Sequence, residues 1–106
     1  MSQRLEQLLE LLHESPRDSF LLFAVAKEYE SLQDDHHALE YYQTLVGTDP
    51  AYVGVYYHLG KLHERVGRTE EALATYEQGM TIARSQGDQH SYSELASAKL
   101  NLEYDE

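Results

Sequence analysis

Two stretches of this chain contain residue types that could bind phosphate or a metal ion. Gly54 to Lys61, with the sequence GVYYHLGK, is similar to a phosphate-binding loop because two glycines precede a lysine. Five residues rather than four separate the glycines, however, and Leu62 stands where such a loop needs a serine or threonine. His63 and Glu64 begin a zinc-protease pattern, but no second histidine follows four residues after the first. Neither stretch therefore predicts an active site.

The histidines are not spaced as metal ligands. His36 and His37 are adjacent and point in different directions on a helix, and His58 and His63 are five residues apart, which is off the spacing of one helical face. The chain has no cysteine, so it can form neither a thiolate metal site nor a cysteine nucleophile. We therefore expect no catalytic residue, no metal site and no cofactor, and we predict that the protein is not an enzyme.

The composition predicts a small acidic domain. The 106 residues include 19 acidic and 8 basic side chains, which give a formal net charge of -11. Such a surface repels phosphate backbones, so no nucleic-acid partner is expected. No apolar run approaches the roughly 20 residues that cross a bilayer, the start lacks a secretory signal, and cysteine is absent. We therefore expect a cytoplasmic protein with no membrane partner.

The acidic bias has two interpretations. Lysine occurs only at Lys27, Lys61 and Lys99. A cytoplasm of high salt would suit an acidic protein with few lysines, because salt screens the repulsion between its carboxylates. The alternative is an ordinary acidic bacterial protein, and the sequence leaves both interpretations open.

Every segment of the chain predicts a helix, because its apolar residues lie three and four positions apart and no strand-like alternation occurs. Asp18-Ser19 and Asp34-Asp35 are favourable helix starts, whereas Gly47 with Pro50 predicts a helix end. Gly87 predicts another end, and a last helix follows it. That helix has one apolar face, made of Tyr92, Leu95, Ala98 and Leu102.

The predicted helices repeat at a distance of 34 residues. Five residue types coincide at this offset: Lys27 with Lys61, Glu30 with Glu64, Ala38 with Ala72, Leu39 with Leu73, and Tyr42 with Tyr76. Pro16 also stands 34 residues before Pro50, so the first helix has the register of the second helix of a truncated pair. A fixed period of this length indicates one helical unit stacked on copies of itself.

The residues at the repeated positions resemble the tetratricopeptide repeat (TPR) consensus. They are Leu22, Val25, Ala26, Tyr29, Ala38, Tyr42, Leu45 and Pro50, followed by Tyr56, Leu59, Gly60, His63, Ala72, Tyr76 and Gly79. The resemblance implies an all-α, right-handed α-solenoid of antiparallel helix pairs with about six helices. We expect a single domain over 1–106, with a half-repeat helix at 1–16, repeats at 18–50 and 52–85, and a capping helix at 88–104.

Two residues depart from the pattern, and several others are expected in the core. Arg84 stands where the first repeat has Pro50, which predicts a longer second helix there, and His63 replaces the usual tyrosine. Four of the nine tyrosines fall on core-facing positions of the repeat: Tyr29, Tyr42, Tyr56 and Tyr76. Gln43 and Thr75 are expected on the outer surface.

The resemblance implies a non-catalytic protein-protein interaction module that binds a peptide or helix of a partner in a concave groove. In this family the first helices of the pairs line the groove. The expected groove residues are therefore Phe20, Phe23, Lys27, Glu30, Tyr57, Lys61, Glu64 and Arg65. The identity of the protein partner is not predicted.

Two questions stay open at this point. Lys27 and Lys61 could receive a partner's carboxylates, or each could pair with the glutamate three residues further on. The chain could also be a self-associating structural unit, with its leucine-rich first helix packed against its own copy. A monomer is expected for a groove binder, and a homodimer for the alternative.

Overall fold

The computed structural model describes residues 2–104, which form six α-helices and no strand. The helices are α1 (Gln3–Glu14), α2 (Ser19–Ser31), α3 (Asp35–Thr48), α4 (Gly54–Arg65), α5 (Thr69–Gln86) and α6 (Gln89–Tyr104). They belong to two compact units, one of which ends at Tyr52 while the other begins at Val53. None of these helices is both long and apolar enough to cross a bilayer.

The three helices of the first unit each begin at a side-chain cap. The side-chain oxygens of Ser2, Asp18 and Asp34 accept hydrogen bonds of 3.0 to 3.2 Å from the backbone N–H three residues further on. Each such cap satisfies a donor that the first helical turn leaves unpaired, and it stabilises the protein by about 1 kcal/mol. The acidic helix starts predicted at Asp18 and Asp34 are thus confirmed.

In the first unit, α2 packs against both α1 and α3. Ser19, at the start of α2, donates a hydrogen bond of 2.6 Å to Asp49, which follows the end of α3. The two helices therefore run antiparallel. The core of this unit includes apolar side chains from all three helices that are almost inaccessible to water: Leu5, Leu8, Leu12, Leu22, Ala24, Val25, Ala26, Tyr29, Ala38, Tyr42 and Leu45.

In the second unit, two glycines let the helices approach closely. A Cβ atom on Gly60 of α4 would lie 2.2 Å from the ring of Tyr76 on α5. A Cβ atom on Gly79 of α5 would lie 2.5 Å from the Cβ of Tyr56 on α4. Both distances are shorter than a van der Waals contact, so only glycine fits. Glycine at these two positions therefore allows the close packing of α4 on α5.

The last two helices pack on each other, and α6 also packs on α4. α5 has 18 residues against 14 for α3, which confirms the longer helix predicted from Arg84. Gly87 ends it with φ of 69°, a left-handed conformation that glycine adopts at little cost. Asp88 then caps α6 by accepting a hydrogen bond of 3.0 Å from the backbone N–H of Ser91.

Four tyrosines are buried, as predicted, and one surface prediction was wrong. Tyr29 is 9% exposed, and the three other core-facing tyrosines are completely buried. Thr75, expected on the outer surface, is only 8% exposed. It lies three residues after Ala72 and four before Gly79, so it belongs to the buried stripe of α5.

Candidate functional site

A cleft of about 340 Å³ lies between α4 and α6 in the second unit. A second depression of about 430 Å³ shares Lys61 and Asn101 with it, and we treat the two together as the α4/α6 cleft. The residues that line it are Tyr57, Lys61, Glu64, His90, Ser93, Glu94, Ser97, Ala98, Asn101, Leu102 and Tyr104. Three of the predicted groove residues, Tyr57, Lys61 and Glu64, thus line one surface.

The side chain of Glu64 is held in place by a tyrosine of α5. The buried hydroxyl of Tyr76 donates a hydrogen bond to Glu64 Oε2. Burial raises the pKa of Tyr76 far above its ordinary value, and the hydrogen bond to Glu64 raises it further, so the hydroxyl stays protonated and remains a donor. Tyr42 makes the same bond to Glu30 Oε1 in the first unit. One carboxylate on the first helix of each repeat is therefore fixed by the second helix.

Lys61 has its counter-charge within the chain. Its Nζ lies 3.8 Å from Glu64 Oε2 and 5.7 Å from the centre of the Tyr57 ring. For this lysine the structure shows the pairing with the glutamate three residues on, which was one of the two interpretations of the sequence. The contact is worth about 0.2–0.5 kcal/mol on a helix surface, so it positions the ammonium group more than it stabilises the fold.

The predicted groove residues of the first unit lie on α2. Phe20 is 64% exposed, and Lys27 is exposed as well. Phe23 is half-buried, with its ring centre 5.5 Å from that of Tyr52 and 6.1 Å from that of Tyr42. Glu30 is half-buried and accepts the hydrogen bond from Tyr42. The remaining predicted residue, Arg65, is exposed on α4 but does not line the α4/α6 cleft.

Sequence reasoning missed the contribution of α6. This helix supplies most of the polar side chains of the cleft: His90, Ser93, Glu94, Ser97 and Asn101. The apolar face of α6 was predicted correctly, since Leu95 and Ala98 are buried. The positions that flank that face were the available signal, because they must border the surface against which α6 packs.

His63 occupies the position of Tyr29 in the first repeat but has fewer partners. It is 5% exposed, and its Nδ1 has no hydrogen-bond partner among the described residues. Tyr29, in contrast, stacks on His37 and Tyr41 at ring separations of 4.9 and 5.6 Å. Burial lowers the pKa of His63 below its ordinary value, while the nearby charge of Glu71 opposes this effect.

The repeated helix pairs match a known family. The model of the tetratricopeptide repeat matches residues 21–52 and 53–86. The chain belongs to the tetratricopeptide repeat family. A TPR repeat-containing protein of Pseudomonas aeruginosa, PA0015, is 30% identical over 91 residues, which are 86% of this chain and 87% of that protein.

Solved structures agree with this assignment. The crystal structure of a TPR domain protein from Salinibacter ruber is 48% identical, with a TM-score of 0.80 over 84% of this chain and all of that chain. The TPR2B domain of yeast Sti1, solved in complex with pHsp70, is 17% identical, with a TM-score of 0.88 over 96% of this chain and 82% of that chain. The second likeness shows the fold alone. The predicted all-α TPR fold of six helices is confirmed.

Proposed function

We propose that this TPR chain is a non-catalytic protein-interaction module that binds a peptide or helix of a partner protein along the first helices of its repeats. The observation that carries the proposal is the α4/α6 cleft. It combines a half-exposed aromatic ring, Tyr57, with hydrogen-bonding side chains such as Ser93, Ser97 and Asn101. An accessible ring surrounded by polar groups is typical of the residues that dominate binding energy at protein interfaces.

The α2 surface of the first unit is proposed to contact a partner as well. Phe20 offers an apolar side chain that is 64% exposed, and a large exposed aromatic side chain is a suitable anchor for a partner. Lys27 and Glu30 lie seven and ten residues further along the same helix, and Phe23 contributes the exposed part of its ring. In the second unit, Arg65 is proposed as a contact beyond the cleft.

Selection of peptides on the immobilised protein tests the proposal. A random 12-residue peptide library would be displayed on phage, and the enriched peptides resynthesised and titrated by fluorescence anisotropy. Ser97→Trp fills the cleft from an exposed helical position, and Gln78→Trp places the same ring on an exposed position of α5 outside it. We expect Ser97→Trp to weaken binding by about tenfold or more, which corresponds to about 1.4 kcal/mol, and Gln78→Trp to leave it unchanged. Equal binding by both variants would contradict the proposal.

The alternative function is a self-associating unit that uses the leucines of α1, and the burial of most of these leucines supports it less well. Three of its five leucines, Leu5, Leu8 and Leu12, are buried, and α1 packs on α2. Leu11 is the large apolar side chain of α1 that is mainly exposed, at 52%. Light scattering over a concentration series distinguishes the two functions, because a self-associating chain increases in mass with concentration and Leu11→Lys should then reduce that mass.

A further inference from the structure

The charges that line the α4/α6 cleft determine which kind of partner it favours. We infer that the partner segment is basic, with lysine or arginine side chains directed at Glu64 and Glu94. This inference rests on the proposed function, because it concerns the partner of the same cleft. It also chooses between the two possibilities that the sequence left open for Lys61.

Lys61 is the single lysine or arginine among the described residues that line the cleft, and its charge is already compensated. Glu64 Oε2 is 3.8 Å from its Nζ, and the Tyr57 ring lies next to it. Glu64 cannot easily turn away, because the buried Tyr76 hydroxyl holds the same oxygen. A carboxylate of a partner would therefore approach a lysine that is already paired, and it would meet the fixed charge of Glu64 at the same place.

Glu94 adds a second carboxylate to the cleft. Its side chain is 49% exposed, and its neighbour His90, with Nε2 at 3.9 Å from Glu94 Oε2, is 88% exposed. The lining residues thus bring two carboxylates and one ammonium group, and the whole chain has a net charge of -11.

A basic segment complements the excess of carboxylates over ammonium groups in this lining. Its lysine or arginine side chains can approach the carboxylates of Glu94 and Glu64, while Ser93, Ser97 and Asn101 can hydrogen-bond to polar groups of the segment. The acidic surface of the chain increases the rate at which a basic segment arrives, and salt reduces this attraction.

The charge content of the selected peptides tests the inference. Among peptides that Ser97→Trp no longer binds, we expect lysine and arginine to outnumber aspartate and glutamate, and their affinity to fall by about tenfold or more between 50 mM and 500 mM NaCl. Glu94→Gln should weaken their binding severalfold, and Glu64→Gln should do so too. Lys61→Gln should preserve binding or tighten it. Glu77→Gln, an exposed change on α5 outside the cleft, is the control.

Each outcome separates the inference from the proposed function. Cleft-dependent peptides that are acidic, or that lose binding with Lys61→Gln and not with Glu94→Gln, would overturn the inference and leave the proposed function standing. A selection that enriches no peptide sensitive to Ser97→Trp would overturn both. Glu94 is exposed and its ion pair is with the exposed His90, so its variant reports on charge even if Glu64→Gln perturbs the bond from Tyr76.

Discussion

The hydroxyl of Tyr76 donates a hydrogen bond to the carboxylate of Glu64, and this bond joins the second helix of the repeat to the first. Tyr76 is completely buried, and the side chain of Glu64 is 26% exposed, so the bond is largely shielded from water. Hydrogen bonds to charged groups are stronger than neutral ones. The equivalent bond from Tyr42 to Glu30 shows that both repeats use the same connection.

Removing this hydroxyl should destabilise the protein. Tyr76→Phe keeps the ring and deletes the donor, so we expect the free energy of unfolding to fall by about 1.5–3 kcal/mol. Tyr42→Phe should have a similar effect in the first unit. Tyr104→Phe is the control, because Tyr104 is 82% exposed. Urea unfolding followed by circular dichroism measures the change, and equal midpoints for Tyr76→Phe and wild type would contradict the prediction.

The turns inside the two repeats have the same backbone conformation at equivalent positions, but only one of them has a glycine there. Gly67 has φ of 82° between α4 and α5, and Gln33, the equivalent residue between α2 and α3, has φ of 63°. A side chain is disfavoured in this conformation. We expect Gln33→Gly to raise the free energy of unfolding by about 0.5–1 kcal/mol and Gly67→Gln to lower it by a similar amount. Both residues are exposed, so thermal melts of the two variants form a matched pair.

Two glycines inside helices should respond in opposite ways to alanine. Gly79→Ala would place a Cβ 2.5 Å from the Cβ of Tyr56, and overpacking of this kind costs about 1–3 kcal/mol. Gly47 in α3 has no atom within 4 Å of an added Cβ, so Gly47→Ala should stabilise its helix by about 0.5–1 kcal/mol. Differential scanning calorimetry would show melting temperatures on opposite sides of the wild-type value. A higher melting temperature for Gly79→Ala would show that the contact with Tyr56 relaxes freely.

The burial of His63 should make stability depend on pH. Its pKa is lowered on folding from an ordinary value of 6.5, so the unfolded chain binds the proton more tightly. The stability associated with the neutral ring is therefore complete above the unfolded pKa and is lost as pH falls through 6.5 towards the folded pKa. His63→Tyr, which copies Tyr29, should remove this dependence. Urea unfolding of both proteins between pH 7.5 and 5 would show diverging midpoints, whereas parallel midpoints would exclude His63 as the cause.

Salt should raise the melting temperature if repulsion between carboxylates limits stability. Screening lengths fall from about 30 Å at 0.01 M to about 3 Å at 1 M salt, which removes most of the repulsion in a chain of net charge -11. A variant with glutamines at the exposed residues Glu6, Glu10 and Glu14 should melt higher in dilute buffer and gain less from NaCl. A flat profile for wild type would remove the high-salt interpretation of the composition.

The fold could be predicted because its signals are local and are repeated. Asp18 and Asp34 marked helix starts, Gly87 marked an end, and the 34-residue offset aligned the buried tyrosines. The exposure of Thr75 was predicted wrongly because threonine is polar and because Tyr41, at the equivalent position of the first repeat, is only half-buried. The tighter packing of α5 buries Thr75. The position of a residue on the buried face of its helix therefore predicted its burial better than the polarity of its side chain did.

The site could be predicted only in part. Glu30 with Tyr42, and Glu64 with Tyr76, are identical pairs in the two repeats, and this coincidence was the signal for the hydrogen bonds that sequence reasoning did not draw. The residues of α6 that line the α4/α6 cleft were harder to predict, because their position depends on the angle at which that helix packs. The contact residues themselves, including Phe20 and Arg65, stay predictions.

The extra turn of α5 also has a consequence for protein engineering. The buried residues Leu95 and Ala98 of α6 align with Leu59 and Leu62 of α4 at a spacing of 36 residues, although the two repeats align at 34. A tandem array made by copying the 34-residue module after Gly87 would therefore shift each following helix by two positions. Such a shift rotates a helix by about 200° and turns its apolar side to water. Concatenated copies should instead be joined after the shorter α3, because the loop at Pro50 keeps the 34-residue spacing between equivalent buried residues.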